Sequence, residues 1–158
     1  VSKAVSKAAS NPSNQETPVS NKDLIQRNLE VVTQNAPDLT ARFYATLFER
    51  HPQLTRLFGR RSEEAQQRML LEAIVAVVDH LEDTPWLDFT LRALGAKHVE
   101  YGVTEEMYPM VAGALIDTLL VASGDRWDDA TAAAWLAALT FVAERMMAGA
   151  RQVPVAAE

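Results

Sequence analysis

Leu94-Gly95-Ala96-Lys97-His98-Val99-Glu100-Tyr101-Gly102-Val103-Thr104-Glu105-Glu106-Met107-Tyr108-Pro109 is the stretch on which the reading of this chain turns. Counting back from His98, Leu94, Leu91 and Leu87 lie four, seven and eleven residues earlier. On a helix those spacings put the imidazole on the same apolar stripe as the three leucines. Histidine is intermediate in burial, so a hydrogen-bonded core or boundary histidine also satisfies this pattern. The remainder of the chain has to decide between a packed histidine and a working one.

At 158 residues the chain suits one domain with a real core. A net charge of −6 offers no basic stripe for displacing counterions, so no nucleic-acid partner is expected. The absence of cysteine excludes disulfides, a thiolate nucleophile and Cys-ligated zinc or iron-sulfur clusters. Metal chemistry is left to His, carboxylates or a carried-in cofactor. Gly, Asp and Glu interrupt the apolar runs before eighteen residues, so no membrane span is expected. The N-terminus lacks the apolar centre of a secretory signal, which makes cytoplasmic residence the default expectation.

Residues 1–19 are rich in Ser, Asn, Lys and Ala and poor in large apolar side chains, and read as a disordered leader. A domain is expected over 20–150, with a frayed tail at 151–158. Ser20 and Asp23 mark a helix start, followed by Leu24, Ile25, Leu29 and Val32 on one face up to about Asn35. Pro37 is expected in the first turn of a second helix, in which Leu39, Phe43, Leu47 and Phe48 keep helical spacing and Tyr44 lies beside them. Pro52 ends that helix and opens a short turn closing on Leu57-Phe58-Gly59. Ser62 caps a third helix, with Leu70, Ala73, Ile74, Val77 and Leu81 as its buried stripe and Gln66 one turn before Leu70. Asp83-Thr84-Pro85 stops it, and Trp86 begins the helix that carries His98. Thr104 is expected to cap a fifth helix, which ends at Ser123-Gly124. A sixth runs from about Asp128 through Trp135, Leu139, Val142 and Met146 to Gly149. No segment alternates like a strand, and the fold class is all-α.

Tyr44, Gln66, His98 and Tyr108 are polar or hydroxyl groups at positions where a helical core normally holds Leu, Ile or Phe. Singly, either tyrosine can bury its ring and offer its hydroxyl to a carbonyl, and Gln66 can face solvent. As a set they suggest a cavity with something polar in it. His51 and His80 fall on other faces, and no HxxxH or HxxE spacing joins them to His98, which argues against a bare metal site. A nucleophile triad lacks its Cys and has no Ser at a tight Gly-flanked turn. One imidazole on an apolar stripe, opposite a helix with a glutamine, suits haem: an axial nitrogen on one side, donors on the other, aliphatic side chains around the ring.

From about Leu24 to Met147 the chain resembles bacterial globins of the flavohaemoglobin and single-domain haemoglobin type. Leu39 to Phe48, Pro52 and Leu57-Phe58 are similar to that family's B and C helices, with Tyr44 at the distal tyrosine and Phe58 at the phenylalanine that wedges against the haem. Gln66 and Leu70 match the distal glutamine and leucine of the E helix, at the cost of a preceding loop two residues shorter than in some members. Lys97-His98 matches the F-helix lysine and proximal histidine, Tyr108-Pro109 the G-helix tyrosine, and Ala134-Trp135 the H-helix tryptophan. The resemblance implies a globin fold, with helices A to C and E to H around a haem pocket. It implies haem b (iron protoporphyrin IX) on His98, with Tyr44 and Gln66 stabilising the distal ligand, Phe58 and Leu70 excluding water, Lys97 reaching a propionate and Tyr108 orienting His98.

One departure bears on function. The family's H-helix glutamate, which hydrogen-bonds with the G-helix tyrosine and the proximal histidine, falls on or near Ala150 here, and no carboxylate occurs between Glu144 and Glu158. An incomplete relay implies a weaker-donating histidine, which favours reversible holding of O2, NO or CO over redox turnover. No flavin or nicotinamide domain is expected within these 158 residues, so NO dioxygenation is expected to use a separate reductase. The rival readings are a haem-based gas-sensor domain of a larger protein and a helical interaction protein without haem. Oligomeric state, monomer or homodimer, is not legible.

Overall fold

The computed structural model describes residues 19–154, and these form six α-helices with two 3-10 segments and no strand. Helix α1 spans Asn21–Asn35, α2 Leu39–Arg50, α3 Glu63–Asp79, α4 Thr84–Glu100, α5 Met107–Ser123 and α6 Asp129–Arg151. A 3-10 segment, Pro52–Leu57, follows α2, and a shorter one, Gly124–Arg126, joins α5 to α6. In order these supply the A, B, C, E, F, G and H helices of a globin fold, as expected from the sequence. The disordered leader expected at 1–19 lies, Val19 apart, outside the described residues, as does the tail from residue 155.

Side-chain caps fix four helix starts, three of them where the sequence marks a start. Ser20 Oγ accepts from the Asp23 amide, Ser62 Oγ from Ala65, and Asp128 Oδ1 from Thr131 at 2.7 Å. Three boundaries differ from the sequence reading. Pro37 lies in the turn before α2, because the Leu39 amide bonds back to the Ala36 carbonyl and Asp38 becomes the cap residue. Thr104 does not cap α5: its carbonyl accepts from Met107, a turn intervenes, and Glu106 becomes the cap residue, two positions later than expected. Asp83 caps α4 by accepting from Trp86 at 3.2 Å; α3 has already ended at Asp79, where His80 donates Nδ1–H back to the Ala76 carbonyl and stacks on Trp86.

The main core lies where α1, α2, α5 and α6 meet, around Ile25, Val32, Leu47, Leu119 and Trp135. A buried polar chain ties it together. Trp135 Nε1–H donates to Asn28 Oδ1 (2.9 Å), Asn28 Nδ2–H to Ser123 Oγ (2.8 Å), and Ser123 O–H to the Leu119 carbonyl (2.6 Å). A second cluster, Leu87, Leu91 and Met146, joins α4 to α6 separately. Met107–Arg126 is long and apolar enough to cross a membrane by length and composition, despite the Asp117 that interrupts it. In the fold its Leu115, Thr118 and Leu119 are buried and Asp117 pairs with Arg50.

How α4 packs decides how much of α3 is covered. Helix α4 packs chiefly on α6, and its packing against α3 is slight. Consequently α3 has only Val78 fully buried; Leu70, Ile74 and Val77 are half-buried, and Ala73, expected in the buried stripe, is exposed. The apolar face of α3 is thus real but only partly covered, through the packing of Leu70, Ile74 and Val78 on the main core.

Candidate functional site

Tyr44 stands in the middle of α2, its ring buried between elements that a short loop brings together. Phe58, just past the Pro52–Leu57 segment, meets it edge-on at 5.4 Å between ring centres, and Phe48, one turn on in α2, lies at 5.8 Å. Phe48 and Phe58 also meet edge-on, which closes a three-ring cluster. The i,i+4 relation placed Tyr44 beside Phe48 in the sequence, but the contact of both with Phe58 depends on how the Pro52–Leu57 segment folds back.

Gln66, in the first turn of α3, donates an Nε2–H to the Tyr44 hydroxyl at 3.1 Å. This bond decides the direction of the pair. The Tyr44 oxygen accepts, so its own proton remains free, with no acceptor among the described residues. Burial raises the Tyr44 phenol above its ordinary value, opposed in part by the Gln66 bond, so the group is a neutral donor at physiological pH. Leu70, one turn beyond Gln66, is half-buried on the same helix.

On α4, Leu87 and Leu91 are buried, whereas Leu94 is 37% exposed and His98, one turn further, half-buried. The apolar stripe therefore runs out of the core and into the open side of the helix at the histidine. His98 Nδ1 lies 2.8 Å from the Leu94 carbonyl. A carbonyl only accepts, so Nδ1 carries the proton and Nε2 of the neutral ring keeps its lone pair. Burial lowers the imidazole below its ordinary value, with the Leu94 bond opposing, and favours that neutral ring. Tyr101 meets the ring edge-on at 5.7 Å.

The other two expected residues are placed differently from Tyr44, Gln66 and His98. Lys97 pairs with Glu100 at 3.0 Å on the exposed surface. Tyr108, at the start of α5, packs on the Leu87, Leu91 and Met146 cluster, and its buried hydroxyl has no hydrogen-bond partner among the described residues. No hydrogen bond joins it to His98. Burial, and then the charge of Glu105, raise its phenol. Glu105 itself is held by Arg151 at 2.7 Å, and Arg151, expected in the frayed tail, is the last residue of α6. Ala150 is half-buried, and no carboxylate reaches His98 or Tyr108 among the described residues. Nor do three or more His, Asp or Glu side chains gather there into a group that could hold a metal ion.

The candidate groups thus lie on three helices: a nitrogen lone pair on α4, and a hydroxyl on α2 backed by a glutamine on α3, with incompletely covered apolar side chains on α3 and α4. The globin family model matches residues 41–146. The flavohemoprotein of Rhizobium meliloti is 29% identical over 116 residues, 72% of this chain and 29% of the relative. That of Chromobacterium violaceum is 29% identical over 128 residues, 80% of this chain and 32% of the relative. The chain thus spans about a third of the length of these curated relatives. A bacterial globin from Campylobacter jejuni superposes with a TM-score of 0.70 at 24% identity, covering 84% of this chain and 95% of its own. The flavohemoglobin from Malassezia yamatoensis, solved with FAD and heme, superposes with a TM-score of 0.68 at 23% identity, covering 85% and 37%.

Proposed function

As this chain belongs to the globin family, we propose that it binds haem b through His98 Nε2 and reversibly holds a diatomic ligand beside Tyr44. The residues present fit that group. His98 offers an unprotonated nitrogen, and Leu70, Ile74 and Leu94 leave apolar surface uncovered on the two helices that the group would separate. When bound, haem supplies an iron centre able to take O2, NO or CO.

The observation that carries the reading is the Tyr44 proton. Because Gln66 donates to the tyrosine oxygen, the hydroxyl hydrogen is left without an acceptor among the described residues. A donor fixed in a dry pocket stabilises partial negative charge on a ligand without reorganisation at the moment of binding. Phe58 and Leu70 shield that donor from water, and Gln66 holds it in place.

Reversible holding is favoured over rapid redox turnover by what surrounds His98. Its one hydrogen-bond acceptor is a neutral carbonyl, a weaker partner than a carboxylate, which leaves the imidazole a modest electron donor. NO dioxygenation with a separate reductase is the enzymatic form of the same reading, supported by the flavohemoprotein relatives. Stopped-flow measurement separates the two. The proposal expects slow O2 release and repeated oxygenation cycles without loss, and sustained catalytic NO consumption with an added reductase would replace storage with enzymatic function.

A further inference from the structure

Two glycines face each other across α4 and α6 in a manner the pocket itself does not require. A Cβ built on Gly95 would fall inside the backbone carbonyl of Met146, and one built on Gly149 inside that of Arg92. Arg92 and Gly95 are three apart on α4, Met146 and Gly149 three apart on α6. The contact is therefore reciprocal and antiparallel: each glycine receives the carbonyl of the residue one turn before the other glycine. Such an approach brings backbone against backbone, with Cα–H groups against carbonyl oxygens and no side chain between them.

A second, independent tie lies one turn away. Asp88 on α4 accepts from Arg92 at 3.0 Å and from Arg145 of α6 at 3.3 Å. Leu87, Leu91 and Met146 form their own buried cluster beneath it, apart from the main core. Helix α4 is thus fastened to α6 by an apolar contact, an ion pair and a backbone interlock, while its packing on α3 is slight.

We propose that Gly95 and Gly149 are positioning residues for His98, fixing the rotation and height of α4 against α6 so that the imidazole is placed by α6 rather than by side-chain packing on the pocket side. This rests on the reading of His98 as the axial ligand. Side-chain contacts yield by changing rotamer, but a backbone contact cannot. His98 lies three residues beyond Gly95 in the same helix, so displacement of that contact moves the ring with it. A methyl at 149 forces the helices apart by a distance on the order of 1 Å before ordinary van der Waals separation returns.

The test compares haem-loaded wild type with Gly149→Ala and, as control, Gly113→Ala, where an added Cβ meets nothing within 4 Å. In the ferrous, ligand-free form the iron–histidine stretching band in resonance Raman is expected to shift in Gly149→Ala and to stay in place in Gly113→Ala. An unshifted band in folded, pigmented Gly149→Ala overturns the proposal. Should that variant not fold, native-state hydrogen exchange on the haem-loaded wild type decides: residues 92–100 open together with residues 143–150, at rates within about tenfold. Independent, earlier opening of 92–100 overturns the interlock. A wild type that takes up no haem refutes the functional reading instead, and shows this in its absorption spectrum before any variant is compared.

Discussion

Two side chains carry the proposed haem site, and each makes a separate prediction. Removing the Tyr44 hydroxyl as Tyr44→Phe keeps the ring among Phe48 and Phe58 but deletes the free donor. A hydrogen bond to a group bearing charge is worth about 1.5–3 kcal/mol, so O2 dissociation is expected to quicken roughly ten- to a hundredfold, read by stopped-flow displacement with CO. An unchanged rate would place the donor elsewhere. His98 makes a prediction without haem. Burial lowers its folded-state value, so at pH below the ordinary histidine value of about 6.5 the unfolded chain takes up a proton that the folded chain refuses. Its contribution to stability is complete above that pH and declines as pH falls toward the lowered value. Urea midpoints of the haem-free protein across this window are expected to fall with acid, and less steeply in His98→Leu; equal slopes would contradict the shift.

Helices were legible where local chemistry sets them and obscure where distant contacts do. Ser20, Ser62 and Asp128 announce their helices because a cap is formed within three residues. Ala73 looked buried because periodicity records which side is apolar, not whether another helix covers it. The tie of Arg151 to Glu105 and the interlock of Gly95 with Met146 join residues about fifty positions apart, beyond the reach of any local pattern. The same holds for the polar chain linking α1, α5 and α6, which a sequence shows only as an asparagine on an apolar face. Asn28→Ala leaves the Trp135 indole N–H without its acceptor and the Ser123 hydroxyl without its donor. One stranded buried group costs about 1–3 kcal/mol, so the urea midpoint is expected to drop accordingly. A midpoint equal to that of the wild type would mean that the helices hold without this chain.

At the scale of the molecule, six helices divide their work unevenly. Five of them supply the main core around Trp135, α3 through Val78 alone among its fully buried residues, and α4 hangs from α6 through a smaller cluster of its own. That division leaves apolar side chains of α3 and α4 partly uncovered, and the proposed haem site sets the His98 lone pair on α4 against the Tyr44 hydroxyl on α2. Tyr44, Gln66 and His98 were readable as a set because each is polar at an apolar position; their geometry was not, since the Gln66 bond depends on how α2 and α3 meet. The account stands or falls on the bond from His98 to iron. Its most direct measurement is the absorption spectrum of the purified chain after haem is added, in ferric, ferrous and CO-bound forms, beside that of His98→Ala. The wild type is expected to bind one equivalent with a ferrous spectrum that changes on CO, and the variant to lose the pigment or show an altered ferrous band. A colourless wild type, or identical spectra for the two proteins, would contradict it.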